Sequence, residues 1–205
     1  MNILLISFFV LFFSAAIFAA SPTVTSDSHP NGEWSREQFI YVDVSFSGAD
    51  KFVYLVNREP ETIPVVGEDG VVQVDVGDGS IYLGTKLDGE YFLHILAKTS
   101  SGLSDTTHYS IKIDRSGPSR PQDPIAEALE DGNIKVEWTA ADDELSGVSH
   151  YDVYRSVLRF VKDGEISREF SIRDDVAKLV GSGIMETSFL DANNIGEGYM
   201  YHYKL

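Results

Sequence analysis

From residue 21 onward no stretch of the chain has helical periodicity. Apolar residues come in short runs that alternate with polar ones, and Gly, Pro, Asn and Asp fill the gaps. A period of two sends successive side chains to opposite faces of an extended strand, so the chain is read as all-β. In the first half, strands are expected over 39–46, 51–57, 71–76, 91–98 and 108–114. Tyr91, Leu93, Ile95 and Ala97 share one face of their strand, while Phe92 and Leu96 put apolar groups on the other. A strand apolar on both faces is expected in the middle of a sheet. The turns Glu68-Asp69-Gly70, Asp78-Gly79 and Asp88-Gly89 supply residues that tolerate positive φ.

The run Asp114-Arg115-Ser116-Gly117-Pro118-Ser119-Arg120-Pro121 breaks this pattern. Proline cannot donate to a sheet ladder, so the run is read as the boundary between a sandwich over 21–115 and another over 116–205. In the second half Ile134, Val136 and Trp138 share a face, and strand resumes at Tyr151-Asp152-Val153-Tyr154-Arg155. Tyr199, Tyr201, Tyr203 and Leu205 alternate at the end.

The order of these motifs resembles known families. Trp138, Asp142-Asp143, Ser146-Gly147-Val148, Tyr151-x-Val153-Tyr154-Arg155-Ser156, Thr187-x-Phe189-x-Asp191 and Gly198-Tyr199-x-Tyr201 look like the B, C, E and F strands of a fibronectin type III domain. The resemblance implies that Trp138 is the buried strand-B tryptophan. It implies that Tyr199 is a tyrosine corner whose hydroxyl bonds back to the chain just upstream. The first half is similar to the immunoglobulin-like repeats of prokaryotic secreted and surface proteins, through Ser28-His29-Pro30 with Trp34, Asp88-Gly89-x-Tyr91-Phe92-x-His94 and Thr107-His108-Tyr109-x-Ile111-x-Ile113-Asp114. The expected architecture is two tandem immunoglobulin-like/fibronectin type III β-sandwiches. Two departures stand out. A fibronectin type III domain closes with a G strand beside F, and the motifs stop within F at Leu205, so a fragment, or a strand supplied by a partner, is expected. Between Tyr154 and Lys178, where a short turn is expected, two alternating runs flank Asp163-Gly164, a favoured hairpin turn.

Residues 3–20 read ILLISFFVLFFSAAIFAA, an uncharged run of 18. As a helix it would extend about 27 Å, close to a bilayer core. A cleaved signal peptide or a retained amino-terminal anchor both fit, and either places the rest of the chain outside the cytoplasm. The chain has no cysteine, so core packing must hold the sandwiches without disulfides, and thiol chemistry is excluded. Lys and Arg total 16 against 32 Asp and Glu; through Arg115 the counts are 7 and 15, and after it 9 and 17, so each half carries −8. An even negative field of this kind repels phosphate backbones, and no nucleic-acid partner is expected.

The five histidines fall in five segments without ligand spacing, and His29 is read as structural. No cofactor is expected. Asp114 and the Asp142-Asp143-Glu144 group are weak calcium candidates, with solvated carboxylates the plainer reading. The extended hairpin gathers Arg155, Arg159, Lys162, Arg168, Arg173 and Lys178, 6 of the 16 basic residues within 24 positions, around Phe160 and Phe170. Arg155, Arg159, Phe160, Lys162, Arg168, Phe170 and Arg173 are therefore the candidate binding surface, since sandwiches bind through loops and added hairpins. Its rival is an insertion whose phenylalanines pad the sandwich edge. Trp138, Tyr151, Tyr199 and Tyr91 are read as structural. A non-enzymatic extracellular or cell-surface binding or spacer module is expected, with an unidentified protein or glycan ligand. The alternative is an accessory region of a secreted polysaccharide- or protein-degrading enzyme.

Overall fold

A computed structural model describes residues 20–77, 79–159, 161–162, 165–166, 177–192, 195 and 199–205. The apolar opening segment lies outside the described residues except for Ala20. The chain divides into two compact units, Met1–Arg115 and Ser116–Leu205.

The first unit contains, in chain order, β1 (Thr23–Thr25), β2 (Trp34–Ser35), β3 (Ile40–Ser45), β4 (Lys51–Asn57), β5 (Val72–Asp75), β6 (Ser80–Gly84), β7 (Gly89–Thr99), β8 (Gly102–Leu103) and β9 (Thr107–Ile113). They form two sheets. The smaller runs β1-β3-β6; the larger runs β2-β9-β7-β4-β5, with β8 folded back on the end of β7. Alternation in β3 buries Ile40, Val42 and Val44. These join Ile81 and Leu83 of β6 against Phe52, Leu93, Ile95, Ala97, Ile111 and Ile113 from the other sheet. Each such aliphatic or aromatic side chain contributes about 1.5–3 kcal/mol when fully buried. The core between two sheets defines a β-sandwich. As the two-sided apolar pattern implies, β7 is central, paired with β4 on one side and β9 on the other. Tyr91 packs at the margin of the core, with the Arg58 guanidinium 4.7 Å from its ring centroid.

The second unit contains β10 (Gln122–Ala128), β11 (Ile134–Thr139), β12 (Tyr151–Arg159), β13 (Val161–Lys162), β14 (Glu165–Ile166), β15 (Lys178–Ile184), β16 (Ser188–Asp191) and β17 (Tyr199–Lys204). One sheet runs β10-β11-β16 and another β15-β12-β17, while β13 and β14 pair with each other. Among the described residues β17 pairs only with β12 and lies at its sheet's edge. Ile134, Val136 and Trp138 of β11 meet Tyr151 and Val153 of β12 to form the core. The Trp138 and Tyr151 rings meet edge to face, with centroids 5.3 Å apart at 66°, the arrangement their quadrupoles favour. The Tyr151 hydroxyl in turn accepts the Ala141 N–H at 2.9 Å.

Strands β1, β2, β6, β8, β10 and β15 are additional to those the alternation pattern gave. In β10 every residue is exposed, so no apolar period marks it. Pro124 fits there because β10 is an edge strand, and the register slips between Gln122 and Ile125.

Candidate functional site

The expected hairpin begins where β12 runs past Tyr154 to Arg159, farther than the five residues read as strand. β13 then pairs antiparallel with β14, Val161 opposite Ile166 and Lys162 opposite Glu165; the expected turn residues Asp163 and Gly164 lie outside the described residues. Arg159 stands opposite Tyr199 in the β12–β17 register. Phe160, Arg168, Phe170 and Arg173 lie outside the described residues.

Arg155 does not belong to an exposed binding surface. Its side chain is 12% exposed, and Nη1 donates to Oδ2 of Asp191 at 2.7 Å. The guanidinium also lies over the Tyr201 ring, 5.5 Å from its centroid. Tyr203 donates its hydroxyl to the same Asp191 oxygen at 2.8 Å. Burial, and then the bond to Asp191, push the Tyr203 phenol well above the ordinary tyrosine range. Strands β12, β16 and β17 thus deliver one basic, one acidic and one phenolic group to a single buried point. This cluster is structural: a charge pair withdrawn from water persists when its partners satisfy each other.

Trp138 and Tyr151 sit in the core of the second unit. Trp138 is 5% exposed, and its Nε1–H finds no acceptor among the described residues. Tyr199 is 47% exposed and its ring tilts against Tyr201, with centroids 6.4 Å apart. Most of the chain just upstream, to which a tyrosine-corner hydroxyl would bond, lies outside the described residues. A long-range bond from a tyrosine hydroxyl to a backbone carbonyl occurs in the first unit: Tyr109 donates its buried hydroxyl to the His29 carbonyl at 2.7 Å.

Of the residues considered for calcium, Asp143 uses its carboxylate within its own turn, while Asp114 and Asp142 make backbone hydrogen bonds. Asp114 is buried, and its N–H bonds the Ser35 carbonyl at 2.9 Å. Asp143 Oδ1 accepts the N–H groups of Leu145, Ser146 and Gly147 at 3.1–3.3 Å and so organises its own turn. Asp142 exchanges hydrogen bonds with Ser119, while Glu144 is exposed. Among the described residues no three His, Cys, Asp or Glu side chains are grouped to hold a metal ion.

His29 is fully buried. Its Nε2–H donates to the Glu37 carbonyl at 3.2 Å, which leaves Nδ1 to accept the Ser28 hydroxyl at 2.9 Å. Two other histidines, far apart in sequence, come together: Nδ1 of His94 and Nδ1 of His108 are 2.7 Å apart. The strand register could have shown this, because pairing β7 with β9 sets His94 opposite His108.

No protein-family model matches the chain, and no curated protein matches it. Among solved structures it is similar to the FN1–FN3 domains of chicken CNTN1, at 16% identity and a TM-score of 0.40 over 90% of this chain; it spans 60% of that one. It is also similar to a two-domain fibronectin type III segment from chicken tenascin, at 13% identity and a TM-score of 0.31, covering 90% of this chain and 89% of that one. The pairing of β11 with β16 and of β12 with β17 makes the second unit an immunoglobulin-like sandwich, in which B lies beside E and C beside F.

Proposed function

We propose that the chain is an exported, non-catalytic module that binds or spaces at the cell surface. The observation that carries this reading is that each unit closes its own core between two sheets without a cysteine. A self-sufficient sandwich leaves its loops and added hairpins free to carry recognition. The uncharged run over residues 3–20 supports export. The hairpin that follows β12 is the recognition element in this reading. It carries Arg159, Lys162, Arg168 and Arg173 in a chain of net charge −16, a contrast that favours an acidic protein or glycan as ligand.

Protease treatment of intact cells, with fractionation, tests location: the protein should be cleaved at the surface, and full-length protein confined to the cytosol overturns export. Replacing Arg159, Lys162, Arg168 and Arg173 together with Ser tests the hairpin. Attachment to cell-envelope material should fall at least tenfold at low salt; unchanged attachment removes the hairpin from the reading.

A further inference from the structure

The outer face of the larger sheet in the first unit carries a cavity of about 600 Å³. That volume matches a small-molecule site, roughly 300–1,000 Å³, in a recess that is open to solvent on one side. Ile63, Val65, Val66, Leu96 and Leu103 supply apolar wall, and His108 also lines it. Ile63 and Leu103 are 66% and 53% exposed, so this aliphatic surface faces the recess and solvent rather than the core. Ile63, Val65 and Val66 come from the 58–71 connection between β4 and β5, long for two antiparallel neighbours and without a strand of its own.

A chain of hydrogen bonds fixes what His108 offers. The Glu59 N–H donates to Oδ1 of Asn57 at 2.9 Å, and Asn57 Nδ2 donates to the Thr62 hydroxyl at 2.8 Å, so Oδ1 is the acceptor end of that amide. His94 Nε2 lies 2.9 Å from the same Oδ1 and must therefore carry a hydrogen. Neutral His94 then has its lone pair on Nδ1, and the 2.7 Å contact requires His108 Nδ1 to be the donor. His108 is left with a lone pair on Nε2, which has no protein partner among the described residues. His94 is spent on structure; His108 is held in one tautomer with an acceptor to spare. At the rim the Ser104 hydroxyl is already committed, accepting the Ala97 N–H and donating to the Asp105 carbonyl.

We propose that this cavity binds an uncharged, mainly apolar molecule with one hydroxyl donor, a phenol by class, whose O–H bonds to Nε2 of His108. An ammonium would lose hydration against aliphatic walls, and a carboxylate would face a lone pair with the Asp105 side chain nearby. A phenol is a stronger donor than an aliphatic alcohol, and its ring buries a large area at little conformational cost. The site stands on the first unit alone, independent of the hairpin and of where the chain resides.

The test is calorimetric titration of the full chain with 4-propylphenol and with 4-propylanisole, which has a similar outline but no donor. The phenol should bind at least tenfold more tightly. In His108→Phe the phenol and the ether should bind equally. Because that substitution can disturb the His94 partner, the ¹⁵N resonance of His108 Nε2 in the unsubstituted chain is the second readout; it should shift on phenol addition and not on ether addition. Equal affinities in the unsubstituted chain, an unmoved resonance at phenol saturation, or no binding of either probe at millimolar concentration overturns the proposal.

Discussion

Nη1 of Arg155 lies 2.7 Å from Oδ2 of Asp191, a carboxylate with no exposed surface, and that oxygen also accepts the Tyr203 hydroxyl. Removing the guanidinium strands a buried negative charge, which costs about 3–5 kcal/mol, far more than the net worth of the pair. Arg155→Ala should therefore destabilise the second unit by that amount. Replacing Arg155 and Asp191 together with leucine should cost less than Arg155→Ala alone. Urea unfolding of a Trp34→Phe background reads this directly, since Trp138 is then the remaining tryptophan. A loss below about 1 kcal/mol for Arg155→Ala would show that the pair is open to water.

Tyr203 gives the second unit an alkaline limit. Its phenol is held above the usual value of 10, first by burial and then by the bond to Asp191. Above about pH 10 the unfolded chain loses this proton while the folded one retains it, so stability falls as pH rises. Tyr203→Phe should lower stability at pH 8 and flatten the decline between about pH 10 and 11.5. Parallel declines in the two proteins would assign that limit to another group.

The first unit should be limited on the acid side. Burial lowers the pKa of His29, against the opposing Glu37 carbonyl and charge. Burial and then His108 lower that of His94, against the Glu59 carbonyl and the Glu61 charge. Above about pH 6.5 both folded and unfolded states hold these rings neutral, and stability is independent of them. Below it the unfolded chain takes up protons that the fold refuses, and stability falls by at most about 1.4 kcal/mol per pH unit for each ring. Thermal melts from about pH 7 to 5 should show this decline for the first unit. His94→Gln should flatten part of it, and a slope that remains unchanged would mean that the ring protonates without cost in the fold.

The sequence showed those strands in which one face is buried. β3, β9 and β11 were legible from a two-residue period because the core imposes it on them, and β4 and β7 from continuous apolar runs, because both of their faces are covered. β10 was not, since an edge strand with every residue exposed carries no such imprint. Arg155 looked like part of a basic surface because charge is visible in sequence and direction is not. Its inward turn depends on Asp191, 36 residues away on β16. The His94–His108 pair was hidden for a similar reason: spacing along the chain gives no sign of it until β7 and β9 are aligned.

Gly181 is needed for space rather than for backbone freedom. A Cβ there would lie 2.6 Å from Cε2 of Phe189 and 2.9 Å from Cδ1 of Ile184, so β15 closes on the core only without one. Gly181→Ala should cost about 1–3 kcal/mol as an overpacking change, and Phe189→Leu should recover part of it by vacating the ring position. Gly183 differs: it has φ +69°, and a Cβ there would meet nothing within 4 Å, so its substitution strains the backbone only. Gly183→Asn should be nearly neutral, because asparagine tolerates this region. Chemical unfolding of the three single variants and the Gly181→Ala/Phe189→Leu pair distinguishes the two causes. If Gly181→Ala is as mild as Gly183→Asn, the ring gives way freely.

Trp138 combines two opposing effects on one side chain. Its ring fills the second core against Tyr151, while its buried Nε1–H has no acceptor among the described residues. Trp138→Ala removes the whole ring and should cost about 3–5 kcal/mol, enough to unfold a unit of ordinary stability while the first unit still melts cooperatively. Trp138→Phe leaves a smaller cavity and also removes the unsatisfied donor, whose burial alone costs about 1–3 kcal/mol. The phenylalanine variant should therefore retain most of the stability, well short of the alanine loss. Circular dichroism melts of both variants compare them without depending on the lost fluorophore. A phenylalanine variant as unstable as the alanine one would mean that the indole nitrogen is satisfied, by water or by a residue outside those described.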